Sequence, residues 1–119
     1  MVLSLLRGAW RKLSGAPPNQ TVLEMARANA LLIDVRSAQE FSYGHIEGAL
    51  WLPLDRIRAD IARAIPDRSQ ALILYCRSGA RSRQARAIIA ELGYDHAING
   101  GGMAALRALL KRPLVRGPD

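Results

Sequence analysis

Cysteine is almost absent from this chain: Cys76 is the only one in 119 residues. No disulfide can form within the chain, so the fold rests on its core alone, and a chain of this length can bury one. The two histidines, His45 and His96, stand far apart, and with a single cysteine they do not make a zinc site. No metal or other cofactor is called for. Lysine is nearly missing too. Of 17 basic residues only Lys12 and Lys111 are lysines, and the balance against 10 acidic residues is a net charge of +7. That balance favours anionic ligands. Aromatic residues are 5% of the chain, and no basic run is interleaved with them, so nucleic-acid binding is not expected. No apolar run approaches the ~20 residues that cross a bilayer. There is no internal repeat.

The opening segment carries Val2, Leu3, Leu6, Trp10 and Leu13 at roughly helical spacing, with Arg7, Arg11 and Lys12 on other faces. This is the pattern of a helix docked on the domain; the alternatives are a loose terminus and a peripheral membrane contact by residues 1–13. A secretory signal carries its charge before its apolar stretch, and here the charges follow, so a cytoplasmic protein is expected, with an exported or membrane-peripheral one as alternatives. The organisation reads as an N-terminal amphipathic segment and linker over 1–19, one domain over 20–112, and a mobile tail over 113–119 rich in Pro, Gly and charge.

Within the domain, short apolar runs alternate with helical patterns. Thr21-Val22-Leu23-Glu24 has the form of a capping box and opens a helix to about residue 29. The apolar run 31–35 reads as a buried strand. Ser37-Ala38-Gln39-Glu40 repeats the capping-box pattern and starts a short helix that Gly44 ends. The chain returns over 45–52, and the spacing of Ile57, Ile61, Ala64 and Ile65 predicts a helix over 54–65. A strand over 71–75, a helix over 83–92 closed by Gly93, a short strand over 96–98, a glycine turn and a last helix over 103–110 complete the series. Such alternation predicts an α/β fold with a parallel sheet. Ligands then sit at the carboxyl ends of the strands, where Cys76 and the segment Asp34 to Arg36 both fall.

Cys76 opens the run Cys76-Arg77-Ser78-Gly79-Ala80-Arg81-Ser82 between the strand and the helix. A strand that delivers a cysteine into a tight loop and then enters a helix stabilises a thiolate. Loop N–H groups turn inward as a nest, and the positive helix end points at the same spot. Arg77 and Arg81 add positive charge, which lowers a thiol pKa. Gly79 is the position that best tolerates the positive φ a nest needs. An inert core cysteine is the plain alternative, but it has no use for two arginines and a glycine in the next five residues.

Taken with Asp34-Val35-Arg36, Glu40-Phe41, Gly44-His45-Ile46-Glu47-Gly48-Ala49 and Gly100-Gly101-Gly102-Met103, this loop resembles the single-domain rhodanese family of sulfurtransferases. The resemblance runs over about residues 21–110. One departure is Leu106, where the family often has tryptophan, and it bears on packing more than on chemistry. The resemblance implies a rhodanese-like three-layer fold, a small and mostly parallel central sheet flanked by helices. It implies that Cys76 carries sulfur as a persulfide and that residues Arg77, Ser78, Gly79, Ala80, Arg81 and Ser82 bind the substrate. Arg77 and Arg81 suit the oxyanion end of thiosulfate or a similar anionic sulfur donor, while Ser78 and Ser82 offer hydroxyl donors. Ser82 as the helix N-cap is an equal reading. Asp34, Arg36, Glu40, His45 and Glu47 are read as structural.

The leading expectation is transfer of sulfur from thiosulfate through Cys76 to cyanide or a thiol, including a thioredoxin-like protein. A persulfide carrier or sensor loaded by a partner protein is the alternative. Related cysteine phosphatases and arsenate reductases use Cys-x5-Arg, whereas Arg81 makes this loop Cys-x4-Arg, a shorter loop that favours one sulfur atom over phosphate. Mercaptopyruvate users tend to have uncharged, Gly-rich loops. A Cys-His hydrolase needs a histidine at Cys76, which nothing in the pattern demands.

Overall fold

The structure is a computed structural model that describes residues 19–117. The amphipathic segment read over residues 1–13 and the linker to 18 lie outside the described residues. Elements follow in the order α1 (Asn19–Arg27), β1 (Leu31–Asp34), α2 (Ala38–Tyr43), β2 (His45–Ile46), β3 (Leu50–Trp51), α3 (Leu54–Ala64), β4 (Leu72–Cys76), α4 (Ala80–Glu91), β5 (Ala97–Gly102), α5 (Met103–Leu110) and β6 (Leu114–Val115). Four strands pair in the order β3-β1-β4-β5, all parallel.

The two-residue period of the strands divides the core. Ile33, Leu72 and Leu74 pack with Ile57 and Ile61 of α3 and Ala85 and Ile89 of α4. Leu32, Ile73 and Tyr75 face the other way, onto Val22 and Met25 of α1 and Leu106 of α5. Every residue of β4 is buried, as a central parallel strand covered on both faces requires. Helices thus flank the sheet in three layers, and Leu106 fills its core place at 2% exposure.

Several boundaries differ from the sequence expectation for physical reasons. Helix α1 begins at Asn19, so Thr21 to Glu24 lie inside the helix rather than at its start. Helix α4 begins at Ala80, three residues before the predicted start, because Gly79 at φ +97° turns the chain directly into it. The glycines from Gly100 form no free turn: they continue β5, with Cys76 opposite Gly102 across an irregular register. Their lack of side chains is used for close approach. A Cβ on Gly100 would stand 2.7 Å from Ile73 Cγ2, and one on Gly102 2.7 Å from the Arg77 carbonyl. The segment read as a mobile tail is tied down as far as 117. β6 pairs antiparallel with β2, Glu47 N–H donates to the Pro113 carbonyl at 3.1 Å, and Gly117 N–H to Ser42 at 3.0 Å. Composition marked the tail as loose, but β2 offers it a backbone edge.

At the end of β1 a buried ion pair anchors the next segment. Asp34 is fully buried and receives Arg36 N–H at 2.9 Å, Nε at 3.0 and 3.1 Å, and Nη2 at 2.7 Å. Arg36 Nη2 also donates to the Gly44 carbonyl at 2.7 Å, at the far end of α2. His45 meets the Phe41 carbonyl through Nδ1 at 2.8 Å and stacks on the Phe41 ring. Asp34, Arg36 and His45 hold loops, as their sequence setting suggested. Among the described residues no helix is long and apolar enough to cross a membrane.

Removing Asp34 leaves a buried guanidinium without its partner. Asp34→Ala should therefore lower unfolding stability by about 3–5 kcal/mol, read as a shift of the urea midpoint at constant m. A loss under about 1 kcal/mol would mean that Arg36 finds water or another carboxylate.

Candidate active site

Strand β4 ends at Cys76, and three residues later Gly79, at φ +97° and ψ −11°, caps α4. This tight path folds the backbone around the sulfur. Cys76 Sγ accepts the N–H of Gly79 at 3.0 Å and the N–H of Ser82 at 3.4 Å, and the Ser82 hydroxyl lies 3.5 Å away. Cys76 itself is 1% exposed. Burial pushes its thiol pKa up, hydrogen bonds from the loop bring it below its ordinary value, and those from the N–H groups of Ser82, Ser78 and Gly79 do so wherever the Ser82 hydroxyl points. The acidity thus rests on the hydrogen bonds of the loop, in line with the nest read from the sequence, and neither loop arginine is among its causes.

Ser82 is not the N-cap. It is the third residue of α4, fully buried, and Gly79 caps the helix without a side chain. The Ser82 hydroxyl lies 2.7 Å from Asn99 Oδ1 and 3.2 Å from the Gly79 carbonyl. Asn99 in turn donates from Nδ2 to the Gly79 carbonyl at 3.1 Å. No local pattern marks Asn99, because it reaches the loop from a different strand.

The two loop arginines have different surroundings. Arg77 and Ser78 are exposed on the rim. Arg81 is held in a two-pronged pair with Glu40 of α2, Nη1 to Oε1 at 2.7 Å and Nη2 to Oε2 at 2.9 Å. Hydrogen bonds from Arg81 hold the Glu40 carboxyl near pKa 2. Glu40, and in smaller part the nearby Cys76 sulfur, hold the Arg81 charge. Glu40 also closes the capping box of α2, with Ser37 N–H donating to Oε1 at 2.9 Å. The pattern in the sequence accounts for the capping box and hides the second partner, 41 residues away. A cleft of 490 Å³ opens beside Arg81, lined by Val35, Ala38, Trp51, Pro53 and Leu54 among others. Glu47 is exposed. Among the described residues no group of three or more His, Cys, Asp or Glu is placed to hold a metal ion.

Residues 18–109 match the family model of the rhodanese-like domain. Over 71 residues the chain is 39% identical to the thiosulfate sulfurtransferase PspE of Escherichia coli, covering 60% of this chain and 68% of that protein. Over 78 residues it is 40% identical to a sulfurtransferase of Allochromatium vinosum, covering 65% and 71%. Among solved structures, a rhodanese with anions from E. coli superposes with a TM-score of 0.66 at 35% identity, over 74% of this chain and 99% of that one.

The Glu40–Arg81 pair has a definite pH signature. The Glu40 pKa falls from 4.5 to about 2 on folding, so the pair's contribution is complete above 4.5 and drains away as pH falls towards 2. Glu40→Gln should lower the melting temperature at neutral pH, and the gap from wild type should close across that acid window. A gap that persists unchanged at the acid end would assign the loss to the capping box instead.

Proposed function

The chain belongs to the rhodanese-like domain family, and from that premise we propose that it is a thiosulfate sulfurtransferase in which Cys76 carries the transferred sulfur. The observation that supports this reading most directly is the convergence of the Gly79 and Ser82 N–H groups on a buried Sγ at 3.0 and 3.4 Å. Donors so placed favour the thiolate form of that sulfur.

In the first step the Cys76 thiolate attacks the outer sulfur of thiosulfate. A new S–S bond forms, the old one breaks, and sulfite leaves with the bonding electron pair. Cys76 is left as a persulfide with the negative charge on its terminal sulfur. Helix α4 leaves its leading N–H groups without intrahelical acceptors, so those of Ala80 and Arg81 are available to that terminal sulfur alongside Ser78 and Gly79. Arg81 uses only part of its donor fork on Glu40, and its remaining N–H groups hold the sulfonate oxygens while Arg77 adds charge at the rim. In the second step cyanide or a thiolate attacks the terminal sulfur, and Cys76 Sγ departs as a thiolate. No proton is stranded in either step, which agrees with a site built from donors rather than from a general base. The sequence of two half-reactions is ping-pong.

Cellular acceptors in this reading are small thiols or a thioredoxin-like protein, and the cytoplasm is the compartment, where thiols are kept reduced. The test is thiosulfate:cyanide turnover of the protein beside Cys76→Ala, with intact mass recorded after thiosulfate alone. Turnover should fall to background in the variant, and the wild type alone should gain one sulfur atom. A reduced wild type that neither turns over nor gains mass would overturn thiosulfate as donor.

A further inference from the structure

Behind the Cys76 cradle lies one buried polar side chain, Asn99 of β5, 5% exposed. Its amide orientation is fixed by its neighbours. Gly101 N–H donates to Oδ1 at 2.9 Å, which leaves Nδ2 to donate to the Gly79 carbonyl at 3.1 Å. Ser82 has a single hydroxyl proton and three acceptors within reach: Asn99 Oδ1 at 2.7 Å, the Gly79 carbonyl at 3.2 Å and Cys76 Sγ at 3.5 Å. The first is the optimum O–H···O distance, and the last is the longest of the three. The proton therefore lies on the Asn99 side. The hydroxyl would lower the thiol pKa if it donated to the sulfur, but Asn99 outcompetes the sulfur for it.

We propose that Asn99 is a positioning residue for sulfur transfer: it holds the Gly79 carbonyl, and so the shortest N–H donor to Cys76, and it withholds the Ser82 hydroxyl from the sulfur. The two effects oppose each other in a useful way. Backbone donors keep the sulfur anionic, while a further donor would cost nucleophilicity, which falls as thiol pKa falls. The proposal rests on Cys76 being the sulfur carrier. Asn99 acts only through Ser82 and Gly79. The charged groups near the sulfur, Arg81 of α4 and its partner Glu40 of α2, stay unchanged in the test.

The experiment is a double-mutant cycle of Ser82→Ala with Asn99→Ala, reading the Cys76 thiol pKa from the pH dependence of its alkylation rate. In the wild-type background Ser82→Ala should move that pKa by less than about 0.3, because the hydroxyl proton points elsewhere. In the Asn99→Ala background the freed hydroxyl has the Gly79 carbonyl and the sulfur left as acceptors, and the negative charge of the thiolate makes the sulfur the stronger one, so removal of the hydroxyl should raise the pKa by about one unit, a tenfold loss of thiolate at a given pH. Equal shifts in the two backgrounds would overturn the proposal. Asn99→Leu serves if the alanine variant does not fold: it fills the same space without a charge, an acceptor for Ser82 or a donor for the Gly79 carbonyl, so Ser82→Ala should again shift the thiol pKa more than it does in the wild-type background, and equal shifts overturn the proposal. Sulfur loading of the wild type by thiosulfate, read by mass, tests the parent reading separately. Absent loading removes the catalytic part of the claim, whereas additive shifts with loading intact remove only the role of Asn99.

Discussion

The backbone of Gly101 and Gly102 lies directly against the loop from Arg77 to Gly79, with no side chain between them. A Cβ on Gly79 would meet Gly101 Cα at 3.3 Å, and one on Gly102 would meet the Arg77 carbonyl at 2.7 Å. This contact is what permits the left-handed turn at Gly79, and that turn aims the first N–H groups of α4 at the sulfur. A larger residue at either place would lift the loop from the strand and open the cradle. β5 is therefore both an edge of the sheet and the floor of the site, and Asn99 and the glycines after it are parts of one surface.

A second line of support comes from the other side of the site. The buried pair Asp34–Arg36 fixes the end of β1 and reaches the Gly44 carbonyl, which clamps α2 at its far end. Helix α2 then offers Glu40, and Glu40 fixes Arg81. Positioning passes from a strand end, through a short helix, to a guanidinium at the mouth of the site. The carboxyl ends of β1 and β4, neighbours in the sheet, supply the two halves.

What could be read from the sequence was local. The capping box at Ser37 and the span of α5 each carry their signal within a few residues, and both stand in the structure as read. The start of α4 was missed because a glycine cap has no side chain to announce it. The run from Gly100 was read as a turn because glycine usually marks one, but here it serves a contact with Ile73 and Arg77 that only the fold creates. Glu40 with Arg81, and Asn99 with Ser82, join residues 41 and 17 positions apart, and no pattern in one chain couples such positions. The pairing of β6 with β2 is hidden for the same reason, since that partner strand lies near residue 45.

A sulfur exposed by only 1% is also shielded chemically. Thiolates usually owe their loss of function to peroxides, which add oxygen stepwise until the product no longer returns to thiol. On the proposed role of Cys76, a peroxide and a sulfur donor seek the same buried residue, so a substitution that raises its exposure would admit bulkier donors and shorten the working life of the protein together.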